Sequence, residues 1–250
     1  MIETALIRVA TLNIQHGSRG SYSDPGNPEL VAEACRQINA DVLGLQEVDA
    51  GVPRSRKENL AAYAAKACGM DYRFAPTRTF RARGKVGNAL LVRGEIKSYD
   101  SLKLTGDWQR ITVGNHKIPV IREPRNVLIG DVCVNGYDLA VGVIHAGGRR
   151  RREMLEHAAT ALLFRPGPHI LLGDYNVRLP YAHETLKPFA FTVLEGGPTS
   201  KSEGADEYDQ QIDHIAVHGL RAYGVEVMPV PVGDHQALVA EVKPVTLSVL

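Results

Sequence analysis

Several features that assign a sequence to a special class of protein are scarce or missing here. The 250 residues include three cysteines, Cys35, Cys68 and Cys133, which lack Cys-x-x-Cys spacing. An odd number of cysteines without that spacing argues against a disulfide framework and against a zinc cage. No apolar run approaches ~18 residues, so the sequence predicts no transmembrane helix. Residues 1–10 lack the basic and apolar regions of a signal peptide, and we therefore expect a cytoplasmic protein.

An excess of charge and an abundance of aromatic residues are also missing. The 29 Lys and Arg residues nearly balance the 28 Asp and Glu residues, which leaves a net charge of +1. Attraction to nucleic acid or anionic lipid must then come from local clusters. Aromatic residues make up 6%, with little interleaving of basic residues, so stacking on single-stranded bases is not indicated. No repeat or linker interrupts the chain, and we predict one domain over residues 1–250, a monomer by default.

Apolar segments alternate with helical patterns along the first half of the chain. A strand ending near Asn13 precedes a helix that Asn27 caps and that Pro28 begins. A second buried strand, which begins at Val42, runs into Glu47 and is predicted to end there. A strand-helix-strand unit implies a right-handed crossover, which places Asn13 and Glu47 at the same edge of a sheet. A basic loop is predicted for residues 78–85.

The second half has a hairpin signal and one strand on which the prediction of function depends. Asn135-Gly136 suits a type I′ turn, and the second arm of that hairpin ends in His145. Residues 170–172 predict a buried strand, which Gly173 ends before Asp174. Residues 180–210 are predicted to be mostly loop. Strands outnumber helices, so two packed sheets with helices outside, an α+β sandwich, would bury them best.

Asp174 and Asn176 allow two interpretations. In an extended segment residues i and i+2 point the same way, so both side chains would aim at one spot. The alternative is an Asp-x-Asn turn that only closes the strand. The sequence of this segment leaves both open.

Polar side chains of the same kind stand at other strand ends or in the loops beside them. The set comprises Asn13, Glu47, His145, Asp174, Asn176, Asp213, Asp234 and His235. Sheets gather their functional loops at one edge, so these side chains are expected to converge. Several acids packed together need a cation, and oxygen ligands without thiolates suit Mg²⁺ or Mn²⁺. Such a cation can stabilise charge on phosphoryl oxygens and an acid-paired histidine can accept a proton from water, so the two together suit phosphoester hydrolysis.

The order of these motifs resembles a known family. Asn13, Leu45-Gln46-Glu47, Gly173-Asp174-Tyr175-Asn176, Ile212-Asp213-His214 and Gly233-Asp234-His235 are similar to the motif series of the endonuclease/exonuclease/phosphatase superfamily, which includes pancreatic-type deoxyribonucleases. The resemblance implies a four-layer sandwich of two mixed sheets flanked by helices. It also implies a Mg²⁺- or Mn²⁺-dependent hydrolase of phosphoric esters.

The resemblance implies a role for each matching residue. Glu47 corresponds to the principal metal ligand, Asn13 lies beside it, and Asp234 is a further metal-binding or orienting carboxylate. His235 corresponds to the general base that activates water, and Asp213 to the acid that orients this histidine. Asp174 and Asn176 correspond to the pair that positions the nucleophile and the phosphate. His145 corresponds to a histidine that contacts the phosphate or protonates the leaving group, and Arg122 to an arginine that faces the phosphate.

These roles predict a phosphodiesterase or nuclease, in which water deprotonated by His235 attacks phosphorus in line with the leaving oxygen. The alternatives are a phosphomonoesterase acting on a small phosphorylated molecule, and a non-catalytic protein that binds phosphate or nucleic acid. The basic run Arg149–Arg152 is either a solvated face or a phosphate-binding patch. Two further basic clusters, residues 54–57 and 81–85, favour a polyanionic substrate if they surround the site.

Overall fold

Strands dominate the chain, for which a computed structural model describes residues 5–80, 83–104, 108–113, 116–121 and 124–245. The strands within these ranges are β1 (Ile7–Asn13), β2 (Val42–Ala50), β3 (Asp71–Phe80), β4 (Gly84–Val92), β5 (Glu95–Leu104), β6 (Trp108–Val113), β7 (His116–Ile121), β8 (Arg125–Val134), β9 (Tyr137–His145), β10 (His169–Asp174), β11 (Thr192–Val193), β12 (Asp213–His218), β13 (Leu220–Met228) and β14 (Ala237–Pro244). The α-helices are α1 (Pro28–Ile38), α2 (Leu60–Cys68), α3 (Arg151–Leu163) and α4 (Leu179–Leu186).

Two six-stranded sheets form the centre of the molecule. The first has the strand order β13-β14-β1-β2-β4-β3 and the second β11-β12-β10-β9-β8-β5. Each sheet is mixed, because one central pair is parallel, β1 with β2 and β9 with β10, and the other pairs are antiparallel. Parallel neighbours end at the same edge, so each sheet presents the carboxyl ends of its two central strands together.

The apolar side chains form three layers of core. One cluster lies between the sheets and combines residues of both, such as Val9 and Leu90 with Leu128 and Ile170. The helices α1 and α2 cover the outer face of the first sheet, and α3 and α4 cover that of the second. The predicted sandwich of two mixed sheets flanked by helices is therefore confirmed. Among the described helices none is long and apolar enough to span a membrane.

Local sequence signals account for several element boundaries. The Asn27 side chain accepts a hydrogen bond from the Glu29 amide at 3.1 Å, and Pro28 begins α1 as predicted. Asn135 and Gly136 adopt φ values of 50° and 80°, as the type I′ turn between β8 and β9 requires. The parallel pairing of Asn13 with Gln46 confirms the crossover that brings β1 and β2 to one edge.

Two segments differ from the sequence-based expectation. The predicted basic loop at residues 78–85 is largely strand, because β3 continues to Phe80 and β4 begins at Gly84. Pairing between β3 and β4 stabilises the extended backbone of these basic residues. Their composition alone does not predict that pairing. Most of residues 180–210 is loop, as predicted, but the segment begins within α4 (Leu179–Leu186), whose Pro180 in the first turn and buried Ala182 and Leu186 are a helical signal.

Gly173 is required where β10 passes β9. A Cβ at this position would lie 1.9 Å from the carbonyl oxygen of Ile144, its partner in the parallel pairing. We expect Gly173→Ala to lower the free energy of unfolding by about 3 kcal/mol, because the two strands must separate to admit the methyl group. Urea titration measures this change. The matched control is Gly224→Ala, where a Cβ meets no atom within 4 Å, and equal losses in both variants would contradict the steric explanation.

Candidate active site

The central strands of both sheets bring the predicted side chains to one place. Asn13 is the last residue of β1, His145 ends β9, and Asp174 ends β10. In the second sheet, Asp174 pairs with His145 on one side and with Asp213 on the other. The carboxyl ends of the parallel strands therefore meet the start of antiparallel β12, and the predicted convergence is present in the structure.

Asp213 and His235 form a buried pair. The Oδ2 atom of Asp213 lies 2.7 Å from Nδ1 of His235, and His235 occupies the turn that precedes β14. The Asp213 amide donates a hydrogen bond to the Thr199 hydroxyl at 3.2 Å, which fixes the start of β12. This contact leaves Nε2 as the atom of His235 that can exchange a proton with a ligand. The second oxygen of Asp213, Oδ1, has no hydrogen-bond partner among the described residues.

Asp174 is the centre of a second group of contacts. Its Oδ2 atom accepts a hydrogen bond from Nδ2 of Asn13 at 3.2 Å and lies 3.4 Å from Nε2 of His145. Its Oδ1 atom accepts a hydrogen bond from the Asn176 amide at 2.9 Å, and the Asn176 side chain lies 3.3 Å from His145. Asn176 has a φ of 53°, so of the two interpretations the structure has the turn and not the extended segment. The two interpretations are nevertheless compatible, because the turn itself directs the Asn176 side chain towards His145.

Glu47 reaches the site through an irregularity in β2. The strand continues to Ala50, contrary to the prediction that it ends at Glu47, and its pairing with β4 shifts between Leu45 and Val48. This β-bulge puts Glu47 in the left-handed region with a φ of 55°. A non-glycine residue held there is strained, and bulges redirect side chains beside functional sites. The Glu47 carboxylate accepts a hydrogen bond from Nδ2 of Asn13 at 3.2 Å.

Tyr22 is a site residue that the sequence interpretation missed. It lies in the polar segment between β1 and α1, and its hydroxyl donates a hydrogen bond to Oε2 of Glu47. Tyr22 is 61% exposed. The only available sequence signal was an aromatic residue in a loop directly after the strand that carries Asn13.

The remaining predicted residues lie less close to this centre or outside the described residues. The Asp234 carboxylate is about half exposed and its Oδ1 atom lies 4.0 Å from Nε2 of His235. Arg122 lies outside the described residues. In the basic run, Arg151 donates hydrogen bonds at 2.6 Å to the carbonyl oxygens of Gly148 and Asn176. One member of that run therefore supports the backbone of the turn beside the site.

The proximity of these groups shifts their pKa values. Burial, together with the nearby Asp213, raises the pKa of Asp174 to about 7. Burial lowers the pKa of His235, but the charges of Asp213, Asp174 and Asp234 outweigh that effect and raise it to about 10. Burial and the positive charges of Arg125 and His235 hold the pKa of His145 well below its usual value. The charges of these carboxylates favour the protonated form of His235, whereas burial favours the neutral form of His145. A divalent cation among the carboxylates would offset their charge and so lower the pKa of His235.

The chemistry of the donor set fits a divalent cation. One ligand atom each from Asp174, Asp213 and His235 can be placed within 4.8 Å of one another, and the Glu47 carboxylate joins this group through Asn13. A cation would supply the unsatisfied Oδ1 of Asp213 with a partner and would offset the cost of burying Asp174 beside it. Carboxylate and carboxamide oxygens without a thiolate favour Mg²⁺ or Mn²⁺.

His214, next to the site, gives the fold a sensitivity to acid. It is fully buried, its Nε2 lies 2.8 Å from the Val177 carbonyl oxygen, and burial lowers its pKa to about 4. Because the unfolded histidine has a pKa near 6.5, the unfolded state takes up the proton first as the pH falls. His214 therefore stabilises the fold above pH 6.5, and that contribution is lost towards pH 4, by about 3 kcal/mol. We expect the free energy of unfolding to fall less between pH 7 and pH 4 for His214→Gln than for the wild type. Urea titrations at the two pH values measure this difference.

The matched control for this prediction is His157→Gln, because His157 is exposed on α3 and is not among the groups that shift the pKa of His214. This variant should keep the wild-type dependence of stability on pH. A His214→Gln protein with the same dependence as the wild type would show that His214 is not the group responsible.

Comparison with known proteins agrees with this arrangement. The profile of the Endonuclease/Exonuclease/phosphatase family matches residues 10–235. No curated protein matches the sequence. A protein of the same family from Bacteroides vulgatus has a similar structure, with a TM-score of 0.70 and 16% identity over 96% of this chain and 99% of that one.

Two similar structures have names that state an activity or a ligand. One is a mannosyl-6-phosphatase from Bacteroides thetaiotaomicron, with a TM-score of 0.63 and 17% identity over 95% of this chain and 99% of that one. The other is the catalytic domain of human Nocturnin with a bound sulfate anion, with a TM-score of 0.61 and 17% identity over 98% of this chain and 95% of that one. Identities this low establish a common fold and no more. Because the family profile spans nearly the whole chain, from Ala10 in β1 to His235 itself, the chain belongs to the endonuclease/exonuclease/phosphatase family.

Proposed function

We propose that the protein is a divalent-metal-dependent hydrolase of phosphodiesters, a phosphodiesterase or nuclease. The observation that carries this proposal is the buried contact of 2.7 Å between Asp213 Oδ2 and His235 Nδ1, beside the carboxylates of Asp174 and Glu47. A carboxylate behind a histidine fixes the ring tautomer and raises its basicity. Membership of a family that contains nucleases, phosphodiesterases and phosphatases supports the reaction class.

In this proposal His235 is the general base. It acts in the neutral form, which the positive charge of a divalent cation beside Asp174 and Asp234 would favour by offsetting the carboxylates that raise its pKa. Asp213 binds Nδ1, so Nε2 accepts the proton from water as the oxygen of that water forms its bond to phosphorus. The bond from phosphorus to the leaving oxygen breaks on the opposite side, and the leaving oxygen departs with the electron pair. Asp234, whose Oδ1 lies 4.0 Å from Nε2, stabilises the imidazolium that results.

The group around Asp174 orients the nucleophile and the phosphate. Asn13 and the Asn176 amide both donate hydrogen bonds to Asp174 and so determine the position of its carboxylate. Asn176 and His145 lie 3.3 Å apart and present an amide and an imidazole towards the phosphoryl oxygens or the leaving group. Such pre-oriented groups lower the barrier because they need no rearrangement during the reaction.

Glu47, Asn13 and Asp234 would hold the divalent cation beside Asp174 and Asp213, whose negative charges it would offset. The cation would supply positive charge that stabilises the negative charge accumulating on the phosphoryl oxygens. Glu47 suits this role because the bulge in β2 holds its carboxylate in the site at the cost of a strained backbone.

A phosphomonoesterase is the second candidate. One structural neighbour is named a mannosyl-6-phosphatase, so this fold is compatible with monoester substrates. The same residues would serve either reaction, and the loops that bind the remainder of the substrate would decide between them.

Hydrolysis of two chromogenic esters tests the proposal. The proposal expects bis-(p-nitrophenyl) phosphate to be cleaved in Mg²⁺ or Mn²⁺, with loss of activity in EDTA and in Asp174→Asn. Cleavage of p-nitrophenyl phosphate alone would establish the monoesterase instead. Cation binding without turnover of either ester, or of DNA and RNA, would favour a non-catalytic phosphate-binding protein.

A further inference from the structure

Two histidines meet at the end of the second sheet that lies away from the candidate active site. His169 is the first residue of β10 and His218 is the last residue of β12, and the two are directly paired across these antiparallel strands. Asp174 and Asp213 form the corresponding pair at the opposite strand ends. Since β10 is six residues long, the two pairs lie about 17 Å apart at ~3.3 Å for each residue.

The two imidazole rings approach each other through one nitrogen atom each. Nδ1 of His169 lies 3.1 Å from Nδ1 of His218, and the ring centres are 5.2 Å apart with the planes tilted by 48°. Two ligand nitrogens that are each ~2.0–2.1 Å from one cation lie roughly 2.9–3.4 Å apart, for coordination angles between octahedral and tetrahedral. The separation of the two Nδ1 atoms therefore fits a shared cation.

The other ring nitrogen of His169 determines which atom can bind a cation. Nε2 lies 2.9 Å from the carbonyl oxygen of Arg165, which can only accept a hydrogen bond, so Nε2 carries the proton. Burial and the charge of His218 lower the pKa of His169, although the hydrogen bond to Arg165 opposes them. The ring is therefore neutral and Nδ1 has a lone pair. Histidines that bind metal ions typically donate their second N–H to a backbone carbonyl or a carboxylate in this way.

His218 can supply the second lone pair. As it stands, the contact is a hydrogen bond that Nδ1 of His218 donates, because Nδ1 of His169 has no proton. A cation would replace the bridging hydrogen: the proton leaves Nδ1 of His218, a proton from solvent binds Nε2 of the same ring, and both Nδ1 atoms then donate a lone pair. The ring of Phe191 packs against His218, with the ring centres 5.7 Å apart, and so limits its rotation.

The ligand atoms determine the kind of cation. Imidazole nitrogen suits Zn²⁺, Cu²⁺ and Ni²⁺, whereas Mg²⁺ and Ca²⁺ prefer oxygen. Among the described residues no third His, Cys, Asp or Glu joins this pair, so water would complete the coordination from the side of the exposed Gly219. The guanidinium of Arg165 is paired with Asp100 and Asp131, so its charge is offset and does not oppose a cation.

We propose that His169 and His218 form a second metal site, separate from the candidate active site, which binds a divalent late transition-metal cation such as Zn²⁺ or Ni²⁺ through the two Nδ1 atoms. The bound cation ties the start of β10 to the end of β12. Because Asp174 and Asp213 lie at the other ends of these strands, the cation stabilises the strand pair that carries them. The alternative is a hydrogen-bonded pair of histidines without affinity for a cation.

A long-range ¹H–¹⁵N NMR spectrum of the histidine rings tests the proposal in the unaltered protein. Zn²⁺ is added in the presence of excess Mg²⁺, which competes for the oxygen ligands of the candidate active site. We expect the Nδ1 resonances of His169 and His218 to shift and His218 to change from the Nδ1–H to the Nε2–H tautomer, with the exposed His157 unchanged. Shifts confined to other histidines, such as His235, would overturn the proposal.

Equilibrium dialysis against Zn²⁺ in excess Mg²⁺ counts the sites. His218→Gln keeps an N–H donor for Nδ1 of His169 but lacks the imidazole ligand. At a Zn²⁺ concentration that fills the wild-type site, we expect this variant to bind one Zn²⁺ fewer than the wild type. The matched control is His157→Gln, which removes an exposed histidine from α3 and should bind as much Zn²⁺ as the wild type. Equal binding by the wild type and His218→Gln would show that the two histidines are only a hydrogen-bonded pair.

Thermal unfolding measures the tie between the two strands. Zn²⁺ at ~100 times its dissociation constant should raise the Tm of the wild type and of His157→Gln by roughly 5–10 °C more than that of His218→Gln. Equal rises in all three proteins would contradict the proposal. None of these measurements requires turnover, so the second metal site can be established or refuted whether or not the protein hydrolyses phosphoesters.

Discussion

Replacing His235 with alanine is expected to lower kcat for phosphodiester hydrolysis by about 10²- to 10⁴-fold, with KM changed by less than about threefold. The imidazole accepts the proton of the attacking water, so its loss removes an interaction that exists in the transition state and not in substrate binding. Steady-state kinetics with bis-(p-nitrophenyl) phosphate measure both constants. The matched control is His183→Ala, which removes an exposed histidine from α4 and should leave both constants within about twofold.

The companion variant, Asp213→Asn, distinguishes a positioning residue from a merely structural one. Asp213 supplies the largest of the effects that raise the pKa of His235, so the asparagine should lower that pKa from about 10. An NMR titration of the histidine ring follows the shift directly, and the dependence of kcat on pH should move in the same direction. An unchanged pKa in Asp213→Asn, or a kcat in His235→Ala within tenfold of the wild type, would refute the assignment of this pair.

The second large effect is expected at Glu47. Replacing it with glutamine keeps the size of the side chain and removes the charge that the left-handed backbone of the β2 bulge holds in the site. We expect the Mg²⁺ concentration for half-maximal activity to rise by at least about 100-fold, because even weaker supports of a metal site cost 10- to 100-fold when they are lost. Activity measured against Mg²⁺ concentration gives this value.

A second readout for Glu47→Gln does not depend on turnover. A cation that binds the folded protein raises its Tm by mass action, so Mn²⁺ should stabilise the wild type and hardly stabilise Glu47→Gln. The exposed Glu58, changed to glutamine, serves as the control and should respond to Mn²⁺ as the wild type does. Equal stabilisation of all three proteins would mean that the cation binds without Glu47, and Asp174 with Asp213 would then be the stronger candidate ligands.

The two central pairs of strands explain why topology could be predicted. The sequence from Asn13 to Glu47 contains one strand, one helix and one strand, and chain geometry allows few ways to join them. The structure has the expected parallel pair, with Asn13 opposite Gln46. The hairpin at Asn135-Gly136 is similarly local, because both residues accept positive φ and place β9 beside β8.

Elements whose formation depends on partners distant in sequence were predicted less well. Residues 78–85 are basic and were expected to form a loop, yet β3 and β4 continue through most of them as paired strands. Their pairing partners stabilise the extended backbone, and a single-sequence pattern contains no information about that pairing. The helix α4 is only eight residues long, so its apolar spacing gave too weak a periodic signal.

The sequence by itself determined the identity of the polar residues at the strand ends and their order along the chain. Each strand end is recognised from a short-range pattern, in which an apolar run is followed by an acid, an amide or a histidine. Such a pattern is complete within about ten residues. Topology then required these strand ends to share an edge. The chemistry of oxygen ligands beside an acid-paired histidine followed from side-chain types alone.

Only the tertiary structure decided how these side chains meet. The β-bulge that directs Glu47, the turn that directs Asn176, and the hydroxyl of Tyr22 on Glu47 all depend on contacts between segments far apart in sequence. The same is true of the basic side chains beside Glu47, because Arg54, Arg78 and Arg125 line one pocket with it and come from three parts of the chain that share no local motif. The physical reason is that strand register and loop packing are set by the whole core, whereas residue type and spacing are set locally.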